Sequence, residues 1–472
     1  MIRFARQPDL NHIALEDARL SLTYGEMYDV NLPLEKRTLL MWLASPEVDS
    51  LATASSGFRN HHVVMPANVS DHNDVLLKLI HLYHIEGVIG PEERLKQLFP
   101  ELAAERVFEN CALVRIPEYF GRGPELHPEL SALLSTSGST GTAKLVRLSY
   151  YNFTSNARAI AEYLNLGPDE KTLLNLPLNY SYAISVINSH LVGGGTVRLS
   201  PHSVMQREFW QEINSGITSF AGVPYTYEML ERLGFTRRTY PHLKYFTQAG
   251  GHLPPIRQKI FADYAMAHGL KFYIMYGQTE ATARIAFLEP NKAQQKLGSV
   301  GAVVPGAAMY LEDAQGQEII RPEETGEIVF MGGNVAMGYA ESAADLARGD
   351  DFHGVLRTGD LAWRDSDGDY YIVGRKKRFI KLFGRRTSLT HVEDLLTEHF
   401  PKLQCVAAGK DDHLVIYAVS VSLKDANLGV HEVQAYLASR LNCVPSALEV
   451  SEVNAIPLNA AGKILYDRLP RL

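Results

Sequence analysis

The sequence predicts an α/β protein with a large N-terminal domain of mixed, mainly parallel sheets, a β-rich subdomain within it, and a small α+β C-terminal domain. Three observations carry this. Short apolar, β-rich runs alternate with Gly- or Ser-rich turns and helix-spaced segments, the pattern of a largely parallel sheet with ligand loops at its strand ends. After about residue 310 the texture changes to strands joined by tight turns, as in "TGEIVFMGG" and "WRDSDGDYYIVGR". Gly374 and Gly384 then bracket the basic run "GRKKRFIKLFG", which divides the chain into domains at 1–374 and 375–472.

The individual elements follow from spacing. "SALLSTSGSTG" precedes a segment with Phe153, Ala157, Ile160, Ala161 and Leu164 at helical intervals. "ITSFAGVPYTYEML" repeats the plan with Pro224 in a helical first turn, and "KYFTQAGGHLPPIRQKIFADYA" turns at Gly250–Gly251 before a helix near Pro254 and Pro255. "KFYIMYGQTEA" is a fourth strand, turn and helix of this kind. Further helices are expected near Leu389–His399 and His431–Leu441. "DSDGDY" opens like a calcium loop, but Gly368 stands fourth rather than sixth and Lys376 replaces the closing glutamate, so a hairpin turn is predicted.

Composition narrows the function classes. A chain of 472 residues calls for several domains. Its 46 Lys and Arg against 53 Asp and Glu leave a net charge of −7, giving no general attraction for nucleic acid or anionic membrane. No secretory signal or membrane-spanning run is evident, and the separated cysteines Cys111, Cys405 and Cys443 fit neither a disulfide framework nor a metal-ligand spacing. A cytoplasmic protein is expected.

Chemistry is concentrated in a few motifs. "STSGSTGTAKL" (Ser135–Leu145) reads equally as a phosphate loop or a polar linker. It is not the loop of P-loop NTPases: counting from Gly138, Ala143 stands where the second glycine belongs and Leu145 where a magnesium-binding hydroxyl belongs. "YGQTE" (Tyr276–Glu280), "RTGDLAWRDSDGDYYIVGR" (Arg357–Arg375), "KRFIKLFGRR" (Lys377–Arg386) and "PLNAAGK" (Pro457–Lys463) follow in that order. Taken singly, these are a capped strand end, a turn aspartate, a charge run and a surface lysine.

Taken together and in order, the five motifs resemble those of the adenylate-forming superfamily of acyl-CoA synthetases, peptide-synthetase adenylation domains and luciferases. "LSLTYGEM", "GSVGAVVPG" and "GNVAMGY" resemble further landmarks, so the likeness spans nearly the whole chain. It implies activation of a carboxylate by ATP and Mg2+, with CoA as co-substrate or an acyl carrier protein as acceptor. Positioning and charge neutralisation dominate such chemistry because both reactants are anions.

The resemblance implies a role for each residue. Ser135, Thr136, Ser137, Gly138, Ser139, Thr140, Gly141 and Lys144 would close over the β- and γ-phosphates. Tyr276 would stack on adenine beside Gly277 and Gln278, Thr279 would meet the α-phosphate, and Glu280 would hold magnesium. Gly250 and Gly251 would let backbone approach nucleotide and acyl group, Asp360 would accept from the ribose hydroxyls, and Arg375 would support ribose or phosphate. Lys463, on a mobile C-terminal domain, would bridge carboxylate and α-phosphate. Lys377 would be the hinge, and Phe383 and Gly384 would line a thiol tunnel after rotation.

Some positions depart from the family pattern. Ala143 and Leu145 replace its usual Pro and Gly, and Lys377 stands where Asp is frequent. In "LPLNYSYAISVINSHLVGGGT", Tyr180 and Tyr182 are candidates for the acyl pocket, or ordinary packing residues. No acidic residue lies between Lys171 and Arg207, so the carboxylate that anchors an amino-acid ammonium is missing there. A fatty, aryl or other simple acid is therefore expected. A carrier-loading ligase and a non-catalytic nucleotide binder are the competing readings.

Overall fold

A computed structural model of the chain describes residues 8–136, 144–376, 378–382, 385–459 and 462–470. Five strands, Lys171–Leu174, Thr196–Leu199, Ser219–Gly222, Tyr245–Gln248 and Lys271–Tyr276, run parallel. From Tyr276 the same sheet continues antiparallel through Ala286–Leu288 and Ser299–Val303. It then takes in Tyr370–Arg375, Val355–Arg364, Gly326–Met331 and Ala308–Glu312. The parallel core and the β-rich subdomain are thus one thirteen-stranded sheet. A second, eight-stranded sheet has parallel strands such as Leu39–Ala44 and Val63–Asn68 at its centre. Leu39–Ala44 is buried at every position, as a strand covered on both faces must be.

One hydrophobic core joins the two sheets: Leu40 and Trp42 from the smaller, Val197 and Leu199 from the larger, and Tyr182, Val186 and Ile187 from the helix Ser181–Gly193 between them. That helix packs against Tyr150–Leu164. The latter starts at a capping box in which Asn152 N–H donates to Ser149 Oγ (3.0 Å) and Ser149 N–H to Asn152 Oδ1 (2.8 Å). The Asn152 amide also donates to the Val335 carbonyl at 2.6 Å, tying the helix to the loop that enters the site.

The C-terminal part is α+β. Strands Cys405–Lys410, His413–Val419 and Leu448–Val453 form a three-stranded sheet, covered by helices Leu389–His399 and Val430–Leu441. Among the described residues its core, with Ile380, Val392, Leu396, Ile416, Val433 and Leu437, draws only on positions from 380 onward. The contacts it makes with the body include polar pairs: His252 Nε2 with Asp394 Oδ1 at 2.6 Å, and Gln404 donating to Glu228.

Two local outcomes concern the sequence patterns. The aspartates of "DSDGDY" turn a hairpin and collect on one cation, Lys296 Nζ, at 2.7 Å from Asp365 and 3.1 Å from Asp369. After "YGQTE" the chain forms a short 3-10 turn, Thr279–Ala281, and then an antiparallel strand, not the helix the pattern predicts. Thr282 and Ala283 take positive φ (52° and 96°), which no helix tolerates. Asn334 holds them there: its amide donates to the carbonyls of Ala281 (2.8 Å) and Arg284 (2.9 Å), and its carbonyl accepts from Thr282 Oγ1 (2.7 Å).

Candidate functional site

A cavity of about 410 Å³ opens where the parallel strands end, where the β-rich strands cross and where the C-terminal segment reaches over. Its wall includes Thr136, Tyr180, Tyr182, Gly250, Gly277, Gln278, Thr279, Glu280, Arg375 and Lys463. Motifs hundreds of residues apart thus share one space.

Glu280 is carried on the turn that Asn334 braces. Its Oε1 accepts from the Tyr339 hydroxyl at 2.9 Å. Lys144 Nζ lies 3.8 Å from the centre of the Tyr339 ring and 4.0 Å from Glu341. Tyr339 belongs to the strand Gly338–Ala340, paired with Leu145–Ser149 and secured by fully buried Arg147, which donates to Met337 O (3.0 Å) and Asp351 (2.6 Å). The strand after the Ser135–Lys144 loop is therefore locked to the residue that orients Glu280. Thr279 is buried, its Oγ1 3.2 Å from Ser181 Oγ at the start of the central helix. Ser135 is an exposed strand end.

Asp360 and Tyr276 stand one layer behind the wall. The Tyr276 hydroxyl donates to Asp360 Oδ2 at 2.6 Å, Gln278 Nε2 donates to the same oxygen at 2.7 Å, and Arg375 Nε is 3.2 Å from Oδ1. Burial, reinforced by the Asp360 charge, pushes the Tyr276 hydroxyl well above its ordinary range, so it remains a donor. The aspartate fixes the orientation of the tyrosine ring and couples it to Arg375.

Close packing explains two glycines. A Cβ on Gly277 would sit 1.7 Å from the Ala283 carbonyl oxygen. One on Gly250, where φ is +84°, would sit 2.3 Å from the Tyr180 hydroxyl, so the approach it permits is that of a tyrosine. Gly251 lies beside Pro224. Tyr180 lines the cavity edge-on to Tyr182, their ring centres 6.1 Å apart. Tyr182 is 2% exposed and its hydroxyl meets Thr247 Oγ1 at 2.8 Å, which makes it both a packing residue and the floor of this end.

Lys463 enters from the C-terminal segment on a tight hairpin. Asn459 N–H donates to the Lys463 carbonyl (2.8 Å) and Lys463 N–H to Asn459 Oδ1 (2.9 Å). Its Nζ is 5.1 Å from the centre of the Tyr180 ring. Burial, with Arg375 adding to it, pushes the ammonium down to about 8 against the pull of Glu280 and Asp360. Ser137, Gly138, Ser139, Thr140 and Gly141 of the candidate phosphate loop, the hinge candidate Lys377 and the tunnel candidates Phe383 and Gly384 lie outside the described residues.

Among the described residues the wall carries five cations, Arg284, Arg357, Arg375, Lys376 and Lys463, against a single carboxylate, Glu280, a charge pattern suited to a polyanion. No group of three or more His, Cys, Asp or Glu side chains fit for a metal exists among the described residues. One cavity-facing carboxylate is nonetheless the donor set expected for Mg2+, which takes one or two carboxylates and completes its shell with phosphate oxygens and water. Sequence reasoning assigned no role to Tyr339 or Arg284. The first lies within "GNVAMGY", and the second four residues past Glu280.

Residues 91–340 match the family model described as AMP-binding enzyme, more than half of the chain. The chain belongs to the AMP-binding enzyme family. This AMP-binding enzyme is 30% identical over 350 residues to the sulfoacetate–CoA ligase of Cupriavidus necator, spanning 72% of this chain and 67% of that one. It is 28% identical over 364 residues to the indoleacetate–CoA ligase of Aromatoleum aromaticum, spanning 74% and 69%. Among solved structures it resembles O-succinylbenzoate coenzyme A synthetase from Bacillus subtilis in complex with ATP and magnesium ion, with TM-score 0.75 and 22% identity over 97% of this chain and 96% of that one. At that identity the likeness shows the fold alone, which is that of an AMP-binding enzyme. No helix among the described residues of this AMP-binding enzyme is long and apolar enough to cross a membrane.

Proposed function

We propose that the protein activates a carboxylic acid with ATP and passes the acyl group to a thiol, that of CoA. The observation that carries this reading is Lys463, half-buried in the wall of the cavity that also holds Thr279 and Glu280. In the first half-reaction a carboxylate oxygen attacks the α-phosphorus, the bond to the β-phosphate oxygen breaks, and pyrophosphate leaves with the electron pair. In the second the thiol sulfur, giving up its proton, attacks the acyl carbon and AMP departs.

Each side chain has a part in this scheme. Lys463, in its protonated form, would hold the two anionic oxygens together as charge builds in the transition state. Thr279 would donate to the α-phosphate. Ser135, Thr136, Lys144 and their loop would hold the outer phosphates. Asp360, with Arg375, would exchange its tyrosine and glutamine donors for ribose hydroxyls, and Tyr276 and Gln278 would then frame the base. Glu280, oriented by Tyr339, would hold Mg2+, which supplies charge neutralisation at the phosphates. Gly250, Gly251, Tyr180 and Tyr182 would border the acid.

Residues 375–472 form the moving domain in this reading. Rotation about Lys377 withdraws Lys463 and brings Phe383 and Gly384 to the thiol path. A core confined to residues from 380 onward supports such a unit, since it keeps its packing when it moves. The curated relatives act on acids as different as sulfoacetate and indoleacetate, so the acid has to be found by assay. The test is pyrophosphate release with hydroxylamine trapping over fatty, aryl and amino acids, with CoA then added to each hit. An acyl-CoA product supports the proposal. Adducts formed with hydroxylamine but not CoA would move the acceptor to a carrier protein, and silence across the panel would leave a nucleotide binder.

A further inference from the structure

Arg284 is a charge buried without a counter-ion. It is 1% exposed, yet it belongs to the cavity wall. Its Nε and Nη1 have no hydrogen-bond partner among the described residues. The other arginines of the wall are differently placed: Arg357 holds Glu312 at 2.9 Å, and Arg375 holds Asp360. Arg284 instead has the face of Tyr182, 4.2 Å from its guanidinium carbon, and the Tyr163 hydroxyl, which burial pushes up and the guanidinium pulls down. A ring face compensates a dry cation only in part, well short of what removal from water costs. An Arg is never deprotonated to escape that cost.

The backbone places this side chain firmly. The Asn156 and Asn334 amides both donate to the Arg284 carbonyl, at 3.2 and 2.9 Å, and Ala283 before it takes the positive φ already noted. Along the wall the order is Lys463, Tyr180, Tyr182, Arg284, in steps of 5.1, 6.1 and 4.2 Å. Two tyrosine rings thus stand between Arg284 and the ammonium that would hold the reacting carboxylate. Among the described residues the wall's one carboxylate, Glu280, is engaged by Tyr339, whose ring faces Lys144.

We infer that Arg284 selects a carboxylic acid carrying a second anionic group, a carboxylate or sulfonate, at the end opposite the one that reacts. This deepens the acid-activating reading and rests on it. The planar guanidinium keeps its charge at every pH and donates to carboxylate or sulfonate oxygens in fixed directions. A neutral acid would leave the buried charge unpaired, and sites of this kind reject the analogue that lacks the partner group.

The test compares malonate, succinate, glutarate and adipate, and their ω-sulfonate analogues, each with its monomethyl ester. Pyrophosphate release and ligand-induced thermal stabilisation are read on the same full-length protein. The expected result is at least one dianion favoured over its ester by roughly 100-fold in kcat/KM. Arg284→Met should collapse that ratio, and Arg284→Lys should recover part of it. A wild-type enzyme that uses esters or simple monoacids as well as every dianion would overturn the inference, whether or not the methionine variant folds. An Arg284→Met enzyme that loses dianion and ester equally would also overturn it. Stabilisation by a dianion, lost in Arg284→Met but without pyrophosphate release from any acid, would uphold the anion site and sink the ligase reading instead.

Discussion

At one end of the cavity the side chains hold one another: Gln278 and Tyr276 on Asp360, Tyr339 on Glu280, Arg375 on Asp360. At the other, Tyr180, Tyr182 and Arg284 present ring faces and a guanidinium without a counter-ion. A reaction common to many acids needs its donors fixed before the nucleotide arrives, so the first end is preorganised by internal hydrogen bonds. Choice among acids is made by leaving something unsatisfied until the right one binds, the part proposed for the second end.

The contrast can be broken most severely at Lys463, which touches both ends. Lys463→Ala should lower acyl-adenylate formation by on the order of 10²–10³-fold, read as pyrophosphate release. Thioester formation from supplied acyl-adenylate should fall far less. Equal loss in both assays would mean that the lysine acts through folding. Next comes Gly250→Ala, which drives a methyl group into the Tyr180 hydroxyl at a position with φ of +84°. The acid end should suffer alone: kcat/KM for the acid down by about 10- to 100-fold, with ATP affinity little changed. A matching loss in ATP affinity would show the two ends to be one rigid unit.

A smaller effect comes from pH. The Lys463 ammonium, pushed down to about 8, is charged below that value and neutral above it. Since the protonated form is the one required, kcat/KM for ATP should fall as pH rises through about 8, roughly 10-fold per unit beyond it. Lys463→Arg should carry the fall out of the accessible range. A profile flat to pH 10 in the wild type would detach the lysine from the nucleotide end.

The mildest perturbation is His252, whose imidazole burial pulls down but the hydrogen bond and charge of Asp394 leave raised. A raised histidine gives its full contribution to docking below its ordinary value and loses it as pH climbs through the raised one. His252→Ala should therefore slow adenylation by only about 2- to 5-fold, and more at pH 6 than at pH 9. An effect independent of pH would remove the ion pair from the docking of the C-terminal domain.

These two ends were unequally legible in the sequence. The helix Leu389–His399 could be bounded because Ser388 caps it and its apolar spacing is local. Parallel strands read as apolar runs for the same reason. The turn after Glu280 could not be read, because Asn334, remote in sequence, dictates its backbone. Arg284 was hidden more deeply: an arginine in a sequence reads as surface, and only the packing of Tyr182 across its face reveals it as interior. The nucleotide end announces itself by residue types; the acid end is written in burial, which one-dimensional patterns do not record.

The polar pairs between body and C-terminal domain, His252 with Asp394 and Glu228 with Gln404, have one more consequence. An arm that must leave and return at every turnover would, with an oily joint, bare a sticky patch each time and invite neighbouring molecules to fill it. Here what parts at those two contacts is charge and amide, which water covers at once. In the proposed cycle those two contacts would therefore part without baring apolar surface.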